Sequence, residues 1–103
     1  MRLYLSAEAA ALRSLRDGAS VSLPAFAPPG DDEEDEFAAL TEAAAAGAVV
    51  VAADVDVVDA GDDQAVTLDQ VAALHVDVDG TGDLAWFATQ EIDDVLELLS
   101  RGV

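Results

Sequence analysis

The segment Ala48 to Val58 most constrains what this chain can fold into. It opens on Val49, Val50 and Val51, and it ends on Val55, Val57 and Val58. Runs of β-branched residues favour an extended, packed backbone. The first part is apolar on both faces of a strand, as in the middle of a sheet. The second part alternates, with Val55 and Val57 on one face and Asp54 and Asp56 on the other. A sheet built around this strand is the frame for reading the remainder.

Residues 2–5 predict a short strand, with Leu3 and Leu5 alternating against Arg2 and Tyr4. Ser6 is placed to cap a helix in which Ala7, Ala11, Leu12 and Leu15 share a face. Arg13 and Arg16 sit near its C-terminal end, where cations are favoured, and Gly18 ends it. Pro24, Pro28, Pro29 and Gly30 mark residues 19–30 as a loop, with a brief extended piece at Val21–Phe26. Phe37, Leu40 and Ala44 form an apolar stripe at helical spacing, closed by Gly47. Residues 65–68, 71–78 and 84–88 read as strands, the last two joined by the turn from Asp79 to Asp83. Thr89 precedes a closing helix with Ile92, Val95, Leu96 and Leu99 on its buried side. The first strand and the Val49–Val58 strand, separated by helices, are expected to be parallel. The expected fold is α+β: one domain over residues 1–103, with a mixed sheet of four to five strands. Its helices pack on one face, in the manner of a ferredoxin-like plait.

The chain has 22 Asp and Glu against four Arg and no Lys, a formal charge of −18 on 103 residues. Binding to nucleic acid or an anionic membrane rests on Lys and Arg, so both are disfavoured. A hydrophobic fraction of 52% sets it apart from disordered acidic chains. The absence of Cys removes disulfides, thiol nucleophiles and thiolate metal sites. The opening Met1–Leu5 is too short an apolar run for a signal peptide, and no stretch approaches the roughly 18 residues of a membrane span. The expected location is the cytoplasm.

Three groups of residues are candidates for function. Asp31, Asp32, Glu33, Glu34, Asp35 and Glu36 are consecutive carboxylates. They suit the positive end of a helix dipole or a docking patch for a basic partner. Trp86 and Phe87, adjacent on a strand, point to opposite faces, so one is core and the other is either covered by a helix or an anchor for an interface. Asp77, Asp79, Thr81 and Asp83 surround Gly80 and Gly82 in a pattern similar to the start of a calcium-binding EF-hand loop. The bidentate carboxylate such a loop needs at its twelfth position is here Ala88. His75, Asp77 and Asp79 also share one strand face, the alternation expected of a solvent side and, alternatively, of a metal-ligand set. Asp54 and Asp56 would join that face if the two strands were neighbours. No serine lies in a nucleophile-elbow context, and no glycine loop is followed by the Lys that would hold a phosphate.

The opening Met1-Arg2-Leu3-Tyr4-Leu5, the phrase Val71-Ala-Ala-Leu-His-Val-Asp77 and the ending Leu84-Ala-Trp-Phe before an acidic helix together resemble a family of short actinobacterial proteins of uncharacterised activity. The acidic stretch before Phe37-Ala-Ala-Leu-Thr41 is similar too. The resemblance implies no activity, cofactor or site residue.

The expected function is therefore non-enzymatic: an interaction or regulatory domain, with no cofactor, engaging a protein partner through its basic surface or forming a homo-oligomer. Mimicry of nucleic acid is one form of this. Weak calcium binding through Asp77, Asp79, Thr81 and Asp83 is the first alternative. The second is adaptation to high salt, in which the acidity serves no dedicated site.

Overall fold

The valine-rich segment is indeed interior. It forms β3 (Val49–Asp54), flanked by β1 (Arg2–Ala7) on one side and β5 (Val71–Val76) on the other. The structure, a computed structural model, describes residues 1–78 and 80–101. The other elements are α1 (Ala9–Arg16), β2 (Val21–Phe26), α2 (Glu33–Ala46), β4 (Asp63–Val66), β6 (Ala85–Ala88) and α3 (Ile92–Ser100). Two short 3-10 turns, Leu68–Gln70 and Thr89–Glu91, precede β5 and α3. The class is α+β. The sheet has six strands in the order β4-β2-β1-β3-β5-β6, and all five pairings are antiparallel.

The orientation of β1 against β3 corrects the expected parallel crossover, and β2 is the cause. Val21–Phe26, expected as an extended piece within a loop, is a full strand beside β1 and reverses the chain once more. Its Pro24 lies beyond the last β1–β2 partners, Leu5 and Ala25, where the missing N–H leaves the ladder intact. β2 and β3 thus run the same way with β1 between them, and α2 crosses over β1 to join them. This split β–α–β unit is the part of the architecture that a plait shares.

The helices lie on both faces rather than one. Leu3, Leu5, Val49, Val51, Leu74 and Val76 meet Leu12 and Leu15 of α1 and Ile92 and Val95 of α3. On the opposite face Tyr4, Val50, Ala52 and Ala73 meet Ala39 and Ala43 of α2. Consecutive apolar residues in β3 make this possible, because each face of a central strand needs its own cover. Fully burying a Leu or Val side chain is worth about 1.5–3 kcal/mol, so the first cluster carries most of the stability.

α2 meets the sheet mainly through alanines, with Leu40 and Ala44 of the expected stripe partly buried against the same cluster and Phe37 turned away from it. Ala39 and Ala43 are buried, whereas Phe37 is 68% exposed. Tyr4 already fills space on the sheet, so only small side chains let the helix approach. Ser6 and Thr89 do not cap helices. Ser6 belongs to β1 and donates its hydroxyl to the Ala43 carbonyl at 2.6 Å. Thr89 donates to the Val71 carbonyl at 2.8 Å. The expected Val49–Val58 strand stops at Asp54, and Val57 and Val58 are exposed in the following loop.

Candidate functional site

The crossover helix leaves part of its face bare. α2 lies over β2, β1 and β3, while β5 and β6 extend beyond it. On that face they present His75, half-buried, and its exposed cross-strand partner Trp86. The result is a groove with His75 and Trp86 on its floor, Phe37, Leu40 and Ala44 of α2 on one wall, and Leu84 at the far end. Two adjoining hollows of about 400 and 480 Å3 share Ala44, His75, Gly82 and Leu84 in their lining.

Two large aromatics stand open in this groove, Phe37 at 68% and Trp86 at 62% exposure. A folded chain rarely leaves two such rings in water around one hollow. Trp86 is exposed, and Phe87, facing the other way, packs partly buried against the main core. The sequence thus separates the two aromatics correctly. It misses Phe37 as a groove residue, although the apolar arc of α2 offered a signal: residues 37, 39, 40, 43 and 44 span more than one contact face.

Asp77 and Asp83 edge the groove. Three of the four arginines are engaged in ion pairs: Arg2 with Asp54, Arg16 with Asp17 and Asp93, and Arg101 with Glu97. Asp54 holds Arg2 through Nε at 2.6 Å and Nη2 at 3.1 Å, and this pairing draws the Asp54 carboxyl below its usual range. Burial pushes His75 below the ordinary histidine range, and the charge of Arg2 adds to the effect. Burial raises the Tyr4 hydroxyl, and Glu36 raises it further.

The carboxylate run Asp31–Glu36 forms the start of α2, with Asp32 at the N-cap and Glu33, Glu34, Asp35 and Glu36 in the first turn. Asp35 accepts the Asp32 N–H at 3.4 Å. The run thus serves the helix dipole, and it leads directly into Phe37. Other carboxylates are spread widely: Asp59, Asp62 and Asp63 around β4, and Asp93, Asp94 and Glu97 on α3 across the sheet. No single face gathers the charge.

The glycine-rich turn is organised by Asp77 itself. Its Oδ1 accepts the Gly80 N–H and its Oδ2 the Gly82 N–H, both at 2.9 Å. Gly82 has φ +89°, a conformation that favours glycine. Thr81 Oγ1 accepts the Asp83 N–H at 3.5 Å. Asp79 lies outside the described residues. Among the described residues no three His, Cys, Asp or Glu side chains converge as metal ligands. Asp54 does not join Asp77: in the antiparallel register Ala53 meets Val71 and Val49 meets Val76, so the two carboxylates stand at opposite ends of the strands.

Comparisons with protein-family models, curated proteins and solved structures return no match. No helix among the described residues is long and apolar enough to cross a membrane.

Proposed function

We propose that this domain is a non-enzymatic docking module that receives a basic segment of another protein in the groove between α2 and the β5–β6 ladder. The observation that carries this reading is the pair of exposed rings, Phe37 and Trp86, lining one hollow on a chain of charge −18. Interface energy concentrates in a few aromatic anchors, while surrounding charge sets encounter rate and orientation. Asp77 and Asp83 at the rim would select a segment with Lys or Arg beside an apolar residue. Mimicry of nucleic acid, which needs charge gathered on one face, draws no comparable support.

Trp86 is the sole tryptophan, so its fluorescence reads the groove directly. Titration with a short peptide of alternating Lys and Val should shift its emission, and raising NaCl from about 50 to 300 mM should weaken binding. Phe37→Ala should weaken binding roughly tenfold, about 1.4 kcal/mol, without altering the fold. Equal affinity in the Phe37→Ala variant would remove the groove from the reading.

A further inference from the structure

The two outer strands of the sheet end differently. Along an antiparallel strand, successive residues direct their main-chain bonds to opposite sides. Met1 and Val55 set the phase: the Met1 amine donates to the Val55 carbonyl at 2.8 Å, and the Val55 N–H donates to the Met1 carbonyl at 2.9 Å. Counting from that pair, Leu5 bonds with Val51, and Val50 turns toward β5 to meet His75. Leu74 and Val76 then turn toward β6 to meet Phe87 and Ala85. Trp86 and Ala88 are left directing their main-chain groups away from the sheet. The same phase follows from Ala88, whose N–H is taken by Glu91 Oε1 at 2.8 Å. The Trp86 N–H and C=O have no partner among the described residues.

The β4 edge is covered in part by its own chain. There Asp63 and Ala65 are the outward residues, since Ala25 of β2 bonds toward the β4 side through the Asp62 carbonyl at 2.9 Å, and the chain covers Ala65. The Ala65 N–H donates to Asp59 Oδ2 at 2.9 Å, and the Ala65 carbonyl accepts from Gln64 Nε2 at 3.1 Å. Open strand edges invite pairing, and folded chains block those they do not use.

We infer that β6 is a strand-addition site, where an extended basic segment of the partner pairs with the Trp86 main chain and lays alternate side chains into the groove. This rests on the docking reading above and specifies its mode. The edge adjoins Asp83 before the strand and Glu91 after it, and the whole chain is strongly negative, so the occupant is cationic. Pairing with a second copy would instead bring two chains of −18 together. β6 is only four residues long, so the added strand is equally short, and the side chains beside Trp86 and Phe37 supply most of the selectivity.

Amide hydrogen exchange combined with Trp86 fluorescence tests this, using the peptide of alternating Lys and Val. In the free protein the Trp86 N–H should exchange at least tenfold faster than those of Phe87 and Ala65. Bound peptide should slow Trp86 exchange at least tenfold and leave Phe87 unchanged. A fluorescence response without slowing of the Trp86 amide overturns strand addition and leaves groove docking standing. No response in either measurement overturns both. Slowing that depends on protein concentration without peptide replaces the basic segment with a second copy and overturns the proposed occupant.

Discussion

The Ser6 hydroxyl donates to the Ala43 carbonyl at 2.6 Å, tying the central strand β1 to the last turn of α2. The last four carbonyls of a helix have no partner within it, and Ala43 is one of them. Both residues are buried. Beside them Gly47 lets the chain pass close to the sheet: a Cβ there would sit 3.1 Å from the Ser6 Cβ and 3.2 Å from the Ala7 nitrogen. This tie sets where α2 lies and therefore where the groove opens.

Ser6→Ala should cost about 1–2 kcal/mol, because a buried carbonyl loses its donor. For a domain this small the expected fall in melting temperature is about 4–8 °C per kcal/mol. Thermal unfolding checks it, and an unchanged midpoint would show that water replaces the hydroxyl.

Gln64→Ala should be more damaging, by about 2–4 kcal/mol. The Gln64 side chain is 3% exposed; its oxygen accepts the Asp59 N–H at 2.8 Å, and its amide donates to the carbonyls of Val57 and Ala65. Losing it releases the loop that covers Ala65 on the β4 edge. Urea unfolding gives the cost, and faster exchange at the Ala65 amide should accompany it.

His75 should make stability fall in mild acid. Its folded pKa is depressed by burial first and Arg2 second, so above about pH 6.5 both folded and unfolded forms are neutral and nothing is lost. Below that pH the unfolded chain takes up a proton that the folded chain resists, and stability declines until the folded pKa is passed. In His75→Gln this part of the decline should vanish. The urea midpoint measured between about pH 7.5 and 5.5 decides it, since most carboxylates titrate lower. Superimposable profiles would mean that His75 protonates freely in the folded groove.

Salt should stabilise this chain by screening its carboxylates from one another. The melting temperature should climb with NaCl and respond equally to CaCl2 and MgCl2 at matched ionic strength. Asp77 accepts two backbone N–H groups within the turn. A calcium response exceeding that of magnesium, and abolished in Asp77→Asn, would place an ion in the turn.

The local elements were legible where side chains dictate backbone. Val49–Val51 announced a strand in the middle of a sheet, Gly18 and Gly47 closed helices, and the Trp86–Phe87 pair announced rings on opposite faces. Val21–Phe26 was obscured by Pro24, which argues against a strand unless its absent N–H falls beyond a ladder, and a ladder's end is a property of two strands. Missing that strand reversed the expected direction of β3.

Composition and short-range pattern by themselves determined the α+β class, the apolar central strand, the acidic start of α2 and the negative charge facing any partner. Only the tertiary structure decided that α2 crosses one half of a sheet face and leaves Trp86 exposed and His75 half-buried beside Phe37. It also decided that the chain covers Ala65 on one sheet edge and leaves Trp86 open on the other. Both depend on strand order and register, which are fixed by pairings between residues far apart in sequence. Periodicity along a single strand cannot specify its neighbours.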